Sequence, residues 1–208
     1  VLRMCTAISY NTDEFYFGRN LDYEFSYGES VVVTPRRFPF NGLKDHYAMI
    51  GMAHMCDGFP LYYDGFNEKG LCIAGLNFTE SAVFGSVREG SVNVAQYELI
   101  PQILGRCADI NEVRKLFKAD MPAARLHWMI ADKSGAVVLE QTVDGLHLYD
   151  DPAGVLTNEP TFPAQLAGLN DYMSLSPYPP KNRFSDALPL CAYSRGMGAL
   201  GLPGDMSS

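Results

Sequence analysis

Near its start the sequence reads Val1-Leu2-Arg3-Met4-Cys5, and Cys5 could carry chemistry that most cysteines cannot. If Met4 and everything before it were removed, one residue would hold both a thiol and a free α-amine. An α-amine has a reference pKa of about 7.7–8.0, below that of lysine, so near neutral pH much of it can take a proton. A thiol near about 8.5 needs only modest help from a guanidinium or a hydrogen-bonding carboxylate to become the nucleophilic thiolate. Arg19 and Asp22 stand on or just after the second arm of a predicted hairpin whose first arm begins beside Cys5. The bland alternative is an inert cysteine packed as a small hydrophobe. While any residue precedes Cys5 its nitrogen is an amide and no base, so the intact 208-residue chain is expected to be inactive.

The elements that must position these groups are legible in outline. Thr6 to Tyr10 and Glu14 to Phe17 are β-prone runs around the turn triplet Asn11-Thr12-Asp13, which predicts a hairpin. Further strands are expected at Val31 to Thr34, Tyr47 to Met52 and Leu71 to Leu76. Val92 to Leu104 has helical spacing but contains Pro101, which should break or kink it. Asp109 with Glu112 resembles a capping box opening a helix through Phe117. Strands return at Leu126 to Ala131, Val137 to Gln141 and His147 to Tyr149, and Phe162 to Met173 reads as a helix. Ser176 to Pro180, with its three prolines, reads as a loop. This order predicts an α+β layered domain with largely antiparallel sheets.

Composition narrows the function classes. With 47% apolar and 19% charged residues the chain is of ordinary globular type. A net charge of −8 argues against nucleic acid as a partner. The sequence has neither the apolar run of a membrane helix nor a signal-peptide pattern at Val1 to Cys5, so no membrane association is expected and the cytoplasm is the expected location. Cys5, Cys56, Cys72, Cys107 and Cys191 form no CxxC pair, which suits a reducing compartment. His46, His54, His127 and His147 show no ligand spacing, so they read as structural or surface residues and neither metal nor cofactor is expected. Gly196 to Gly201 matches G-x-G-x-x-G, but Pro203 and Gly204 follow at once, so nucleotide binding is not expected. Asn77-Phe78-Thr79 is read as a chance glycosylation sequon.

Several separated strings carry a resemblance. They are Met4-Cys5-Thr6-Ala7-Ile8, Tyr16 to Asp22, Ser26-Tyr27-Gly28-Glu29 leading to Val33-Thr34-Pro35-Arg36, Asp64 to Leu71, Ala74 to Phe78, Leu126 to Ile130, and Leu156 to Phe162. Together they resemble the choloylglycine hydrolase family, which includes bile salt hydrolases and penicillin V acylases, over residues 5–208 as one domain, with residues 1–4 preceding the nucleophile. The resemblance implies the four-layer αββα sandwich of N-terminal-nucleophile hydrolases. It implies that Cys5 attacks an amide carbonyl with its own amine as base, that Arg19 favours the thiolate, and that Asp22 orients the amine. Asn77, mainly through its backbone N–H, and Asn158, through its side-chain amide, would stabilise the oxyanion. The alternative role for both asparagines is turn formation.

Asparagine at position 77 resembles the bile salt hydrolase branch, whereas penicillin V acylases tend to have tyrosine there. The implied substrate is a small molecule, a bile acid joined to glycine or taurine. Met52, Phe59, Leu61 and Tyr63, in or beside loops, are candidates to line an apolar cleft for the steroid, against the alternative of core packing. The net charge would not attract an anionic conjugate, so the attraction must be local and involve an arginine. In the family the Gly201 to Gly204 segment is interior and further strands follow with another catalytic arginine, so an incomplete sandwich with unpaired edges is expected, prone to associate with copies of itself. Two alternatives stay open: a penicillin V or other acyl-amide hydrolase, and an inactive fragment that associates with other chains.

Overall fold

The computed structural model describes residues 5–40, 42–82, 89, 94–117 and 126–173. The expected hairpin is present: β1 (Thr6–Asn11) and β2 (Phe15–Asn20) pair antiparallel with Thr6 opposite Asn20 and Ala7 opposite Arg19. The polar triplet closes it, Thr12 donating its backbone N–H to the Glu14 carbonyl at 2.9 Å. β11 (Val155–Thr157) flanks β1 on its other side, with Thr6 opposite Thr157, to make a three-stranded sheet.

A second, eight-stranded sheet is built from β3 (Ser30–Thr34), β4 (Met49–Cys56), β5 (Phe59–Tyr62), β6 (Asp64–Asn67), β7 (Cys72–Asn77), β8 (Leu126–Asp132), β9 (Gly135–Thr142) and β10 (Gly145–Asp150). Its order is β10-β9-β8-β7-β6-β4-β3, with β5 paired to β4, and each of the described pairings is antiparallel. The helices are α1 (Gln96–Arg106), α2 (Ile110–Leu116) and α3 (Phe162–Met173). No helix among the described residues is long and apolar enough to cross a membrane.

Alternation along the strands assigns the layers, because successive side chains leave a strand on opposite faces. Ile73, Trp128, Ile130, Val137 and Leu139 share one buried cluster with Leu99, Ile103, Ile110 and Val113 of α1 and α2. Their neighbours in sequence, Ala74, Leu76, Met129, Ala131, Ala136 and Val138, share another with Cys5, Ala7 and Leu156 of the small sheet. Val155 packs on its far side with Ile8 and Leu169 of α3. Buried Gln165 fastens α3 to β11, its Oε1 accepting from Thr157 N at 3.1 Å while its Nε2 donates to the Thr157 and Pro160 carbonyls. Helices, large sheet, small sheet and helix are the αββα sandwich.

Four local expectations need correction. Leu61 lies within β5, Phe59 opens that strand beside a turn, and Met52 lies inside β4, which runs past the expected end to Cys56. Asp57 and Gly58, at φ 49° and 82°, form the tight turn that returns β4 into β5; Asp-Gly is a strong signal for such a turn. Tyr63 is the residue between β5 and β6. α1 runs through Pro101 unbroken, because Pro101 is buried beside Leu99, Ile100 and Ile103 and packing outweighs the lost backbone bond. The capping at α2 is split: Asp109 accepts from Glu112 N at 2.9 Å, while the Glu112 carboxylate reaches Ala108 N at 2.7 Å. Ser176 to Pro180, Cys191 and the Gly196 to Gly201 pattern lie outside the described residues.

Candidate active site

Cys5 stands just before β1, at the end of the small sheet that faces the large one, and is 3% exposed. Continuing the two registers by one residue sets Cys5 between Leu21 on one side and Asn158 on the other. Asp22 stands two residues past the end of β2. The ladder is tightened at this end by Asn20, whose Oδ1 accepts from Thr6 N at 2.6 Å.

Arg19 crosses the gap between the sheets. Its Nη2 donates to the Gly75 carbonyl at 2.8 Å and to the Tyr63 carbonyl at 3.4 Å, and its Nε lies 3.3 Å from Asp64 Oδ2. The guanidinium is almost fully buried, with Nη1 lacking a partner among the described residues. On its other face Gly75 packs tightly, since a Cβ there would lie 3.2 Å from the indole nitrogen of Trp128. Asp64, the counter-charge, was not visible as a partner in the sequence. Burial pushes its carboxyl above the usual range, and the Met52 N–H and Arg19 oppose that shift.

Tyr23 is within electrostatic reach of Cys5 and Arg19. Burial raises its phenol above the ordinary value, and the negative charge of a Cys5 thiolate raises it further, then that of Tyr63, while Arg19 lowers it. Tyr23 also meets Tyr63 edge-on at 5.8 Å. Cys5, Arg19, Tyr23 and Tyr63 therefore share one electrostatic neighbourhood. In the sequence Tyr23 is signalled only by its place one residue after Asp22.

The two asparagines meet across the sheets. Asn158 Nδ2 donates to the Asn77 carbonyl at 2.8 Å, which uses one N–H of that amide and leaves the other. Glu159 adds a second tie, its carboxylate accepting from Glu80 N at 3.0 Å and from Ser81 Oγ at 2.7 Å. Asn77 and Asn158 are thus held together at the end of the layer where Cys5 lies.

A cleft of about 780 Å³ opens between the hairpin and β3, β4 and β6; Arg19, Leu21, Tyr23, Met52, Asp64 and Phe66 are among its lining residues, whereas Cys5 is not. Its wall is shaped where β4 meets β6, since a Cβ on Gly51 would sit 2.0 Å from the Asp64 carbonyl oxygen. Met52 is the sequence-derived apolar candidate that lines it, and Tyr63 sits behind it against Tyr23. Phe59 and Leu61 line a different cavity of about 280 Å³ against Tyr97 and Pro101 of α1. Glu29, on the cleft's rim, holds its carboxylate below the usual range through the Ser26 hydroxyl and the Tyr27 N–H. Among the described residues no group of three or more His, Cys, Asp or Glu could hold a metal ion.

Comparison with known proteins gives the family and the fold. The family of linear amide C-N hydrolases known as the choloylglycine hydrolase family matches residues 5–208, a span that opens on Cys5. A bile salt hydrolase/transferase of Lactiplantibacillus plantarum is 48% identical over 99% of this chain and 68% of its own length. A conjugated bile acid hydrolase of Lactobacillus gasseri is 37% identical over 97% of this chain and 70% of its own. A crystal structure of a variant conjugated bile acid hydrolase from Clostridium perfringens superposes with a TM-score of 0.75 at 35% identity, covering 98% of this chain and 68% of that one. Penicillin V acylase from Agrobacterium tumefaciens, at 18% identity and a TM-score of 0.71 over 99% of this chain and 74% of that one, shares the fold. The chain spans about two thirds of the length of the relatives it matches. On these grounds, and with an αββα sandwich beneath them, the chain belongs to the choloylglycine hydrolase family of linear amide C–N hydrolases.

Proposed function

We propose that this chain hydrolyses the amide joining a bile acid to glycine or taurine, with Cys5 as the nucleophile. The observation that carries the reading is the convergence of Cys5, Arg19, Asn77 and Asn158 at one end of the inter-sheet layer. Once the Met4–Cys5 bond is cleaved, the freed α-amine takes the thiol proton. The thiolate attacks the amide carbonyl, and Arg19 stabilises it before attack. Asp22 orients the amine. The oxyanion is received by Asn77 N–H and by the free N–H of the Asn158 amide; one such donor is worth about 3 kcal/mol in the transition state. Collapse passes the proton to the departing nitrogen, and water then attacks the thioester to release the bile acid.

The cleft beside Arg19 supplies an apolar wall for the steroid through Met52, Leu21 and Phe66. Relatives named for bile salts and conjugated bile acids support that substrate class. We place the reaction in a reducing compartment such as the cytoplasm, in keeping with the free thiols of Cys5, Cys56, Cys72 and Cys107. Self-association is part of the reading, since among the described residues the outer edge of β2 has no strand beside it.

The test compares glycine release from glycocholate with hydrolysis of penicillin V, using protein processed to Cys5 and its Cys5→Ala variant. Faster cleavage of glycocholate, lost on substitution with little change in Tm, is expected. Preference for penicillin V reassigns the substrate, and turnover of neither identifies an inactive chain.

A further inference from the structure

His127 and Glu140 are fully buried, opposite one another on β8 and β9, on the face turned toward the small sheet. His127 Nδ1 lies 3.1 Å from Glu140 Oε1. The reaction described above uses neither. On that face Leu76 of β7 stands opposite His127, His147 of β10 stands opposite Glu140, and Met129 and Val138 form the next rung, so the pair is a polar insertion beside apolar side chains. Burying such a pair is not an efficient way to stabilise a fold, because apolar residues of similar volume serve as well or better. What an apolar pair could not do is hold two neighbouring segments by direction.

The contacts show which segments. The His127 ring stacks on Phe78, centroids 4.3 Å apart and planes within 7°. Phe78 is the residue after Asn77. Glu140 Oε1 also accepts the backbone N–H of Phe162 at 2.7 Å, the first residue of α3 and four past Asn158. A carboxylate at that point satisfies an N–H with no partner inside the helix and favours the positive end of its dipole. One side-chain pair thus grips both chain segments that carry the two asparagines.

We infer that the buried His127–Glu140 pair is the positioning device for Asn77 and Asn158, fixing the first through the Phe78 ring and the second through the Phe162 N–H. The inference rests on the hydrolase reading above. His127 and Glu140 touch no reacting atom; they set where the oxyanion donors stand. Misplacement of such donors by about 1 Å costs on the order of 100-fold in rate.

Full chain processed to Cys5 is compared with Glu140→Leu, Glu140→Gln and Phe78→Leu. Glu140→Leu is expected to lower kcat for glycocholate about 10- to 100-fold while KM changes by less than about 3-fold, a loss confined to the transition state. Glu140→Gln keeps an acceptor for Phe162 N–H and restores most of kcat. Phe78→Leu keeps an apolar side chain but removes the stacked ring, and should repeat the selective loss even if Glu140→Leu fails to fold. Alkylation of Cys5 by iodoacetamide builds no oxyanion, so its rate should stay within about 2-fold in each variant. Hydrogen exchange should quicken together at 77–82 and 158–163 in Glu140→Leu but not in the β1–β2 hairpin. Alkylation and kcat falling in parallel with the folded fraction, or unchanged exchange at both segments, overturns the positioning role. A parent chain that releases no glycine sinks the hydrolase reading instead, and exchange at the two segments still decides whether the pair holds them.

Discussion

The two faces of β7, β8 and β9 are made by alternate residues of the same strands, yet they carry different work. Toward α1 and α2 the face is large and apolar: Ile73, Trp128, Ile130, Val137 and Leu139. Its polar ties sit at helix ends, such as Asn67, whose Nδ2 donates to the Leu104 and Cys107 carbonyls at 2.8 Å. Toward the small sheet the face mixes apolar residues, Ala74, Leu76, Met129, Ala131, Ala136 and Val138, with the buried polar groups His127 and Glu140, and Arg19 reaches in from β2. The first arrangement maximises apolar contact. The second adds direction to contact, since each buried polar group must find a partner at a fixed angle. Gly75 joins them, with Trp128 against one face of its backbone and its carbonyl holding Arg19.

That contrast can be broken by substitution. The largest effect is expected from Trp128→Ala on the helix side, which should cost about 3–5 kcal/mol of stability by leaving a cavity. Urea unfolding measures it, and kcat per folded molecule should survive; loss of kcat without loss of stability would mean that the two faces do not divide the work as argued. Asn158→Ala on the other side should reverse the pattern, lowering kcat by about 100-fold, equivalent to about 3 kcal/mol, with a change in Tm of no more than a few degrees.

The smallest effect concerns the crossing between the layers. Asp151, in the link from β10 to β11, accepts from Ala153 N at 3.0 Å and Gly154 N at 2.9 Å, and burial pushes its carboxyl up to about 7. An acid whose folded value exceeds its unfolded value of about 3.9 holds its proton more tightly in the fold. The stability it contributes is complete below about pH 4 and is lost as pH rises through about 7. Asp151→Asn keeps the acceptor and should flatten the fall in Tm between pH 5 and 8. An equal slope in both proteins would remove Asp151 as its source.

Much of this architecture was open to reading in advance, and the physical reasons are specific. The β1–β2 hairpin, β3, β7 and α2 announce themselves through local signals, a turn triplet, a terminal proline, an apolar run and an N-cap. β5 and β11 do not, being four and three residues long, too short to show a period. The placement of Arg19 beside the strand of Cys5 follows from hairpin register alone. Its partner Asp64 lies 45 positions away on another sheet, and only the packing of the layers reveals it. His127 and Glu140 are harder still: each looks like an ordinary polar residue in a strand until the β8–β9 register sets them face to face. Phe59 and Leu61 show the opposite difficulty, since apolarity alone cannot say which of two cavities a side chain lines.

In the proposed mechanism Cys5 acts only as a first residue, its own amine being the base for its thiol. The direct measurement pairs intact mass with glycine release from glycocholate on two preparations, one beginning at Cys5 and one retaining Met4. Turnover, with a thioester trapped on Cys5, is expected in the first and none in the second. Equal turnover by protein whose mass still includes Met4 would contradict it.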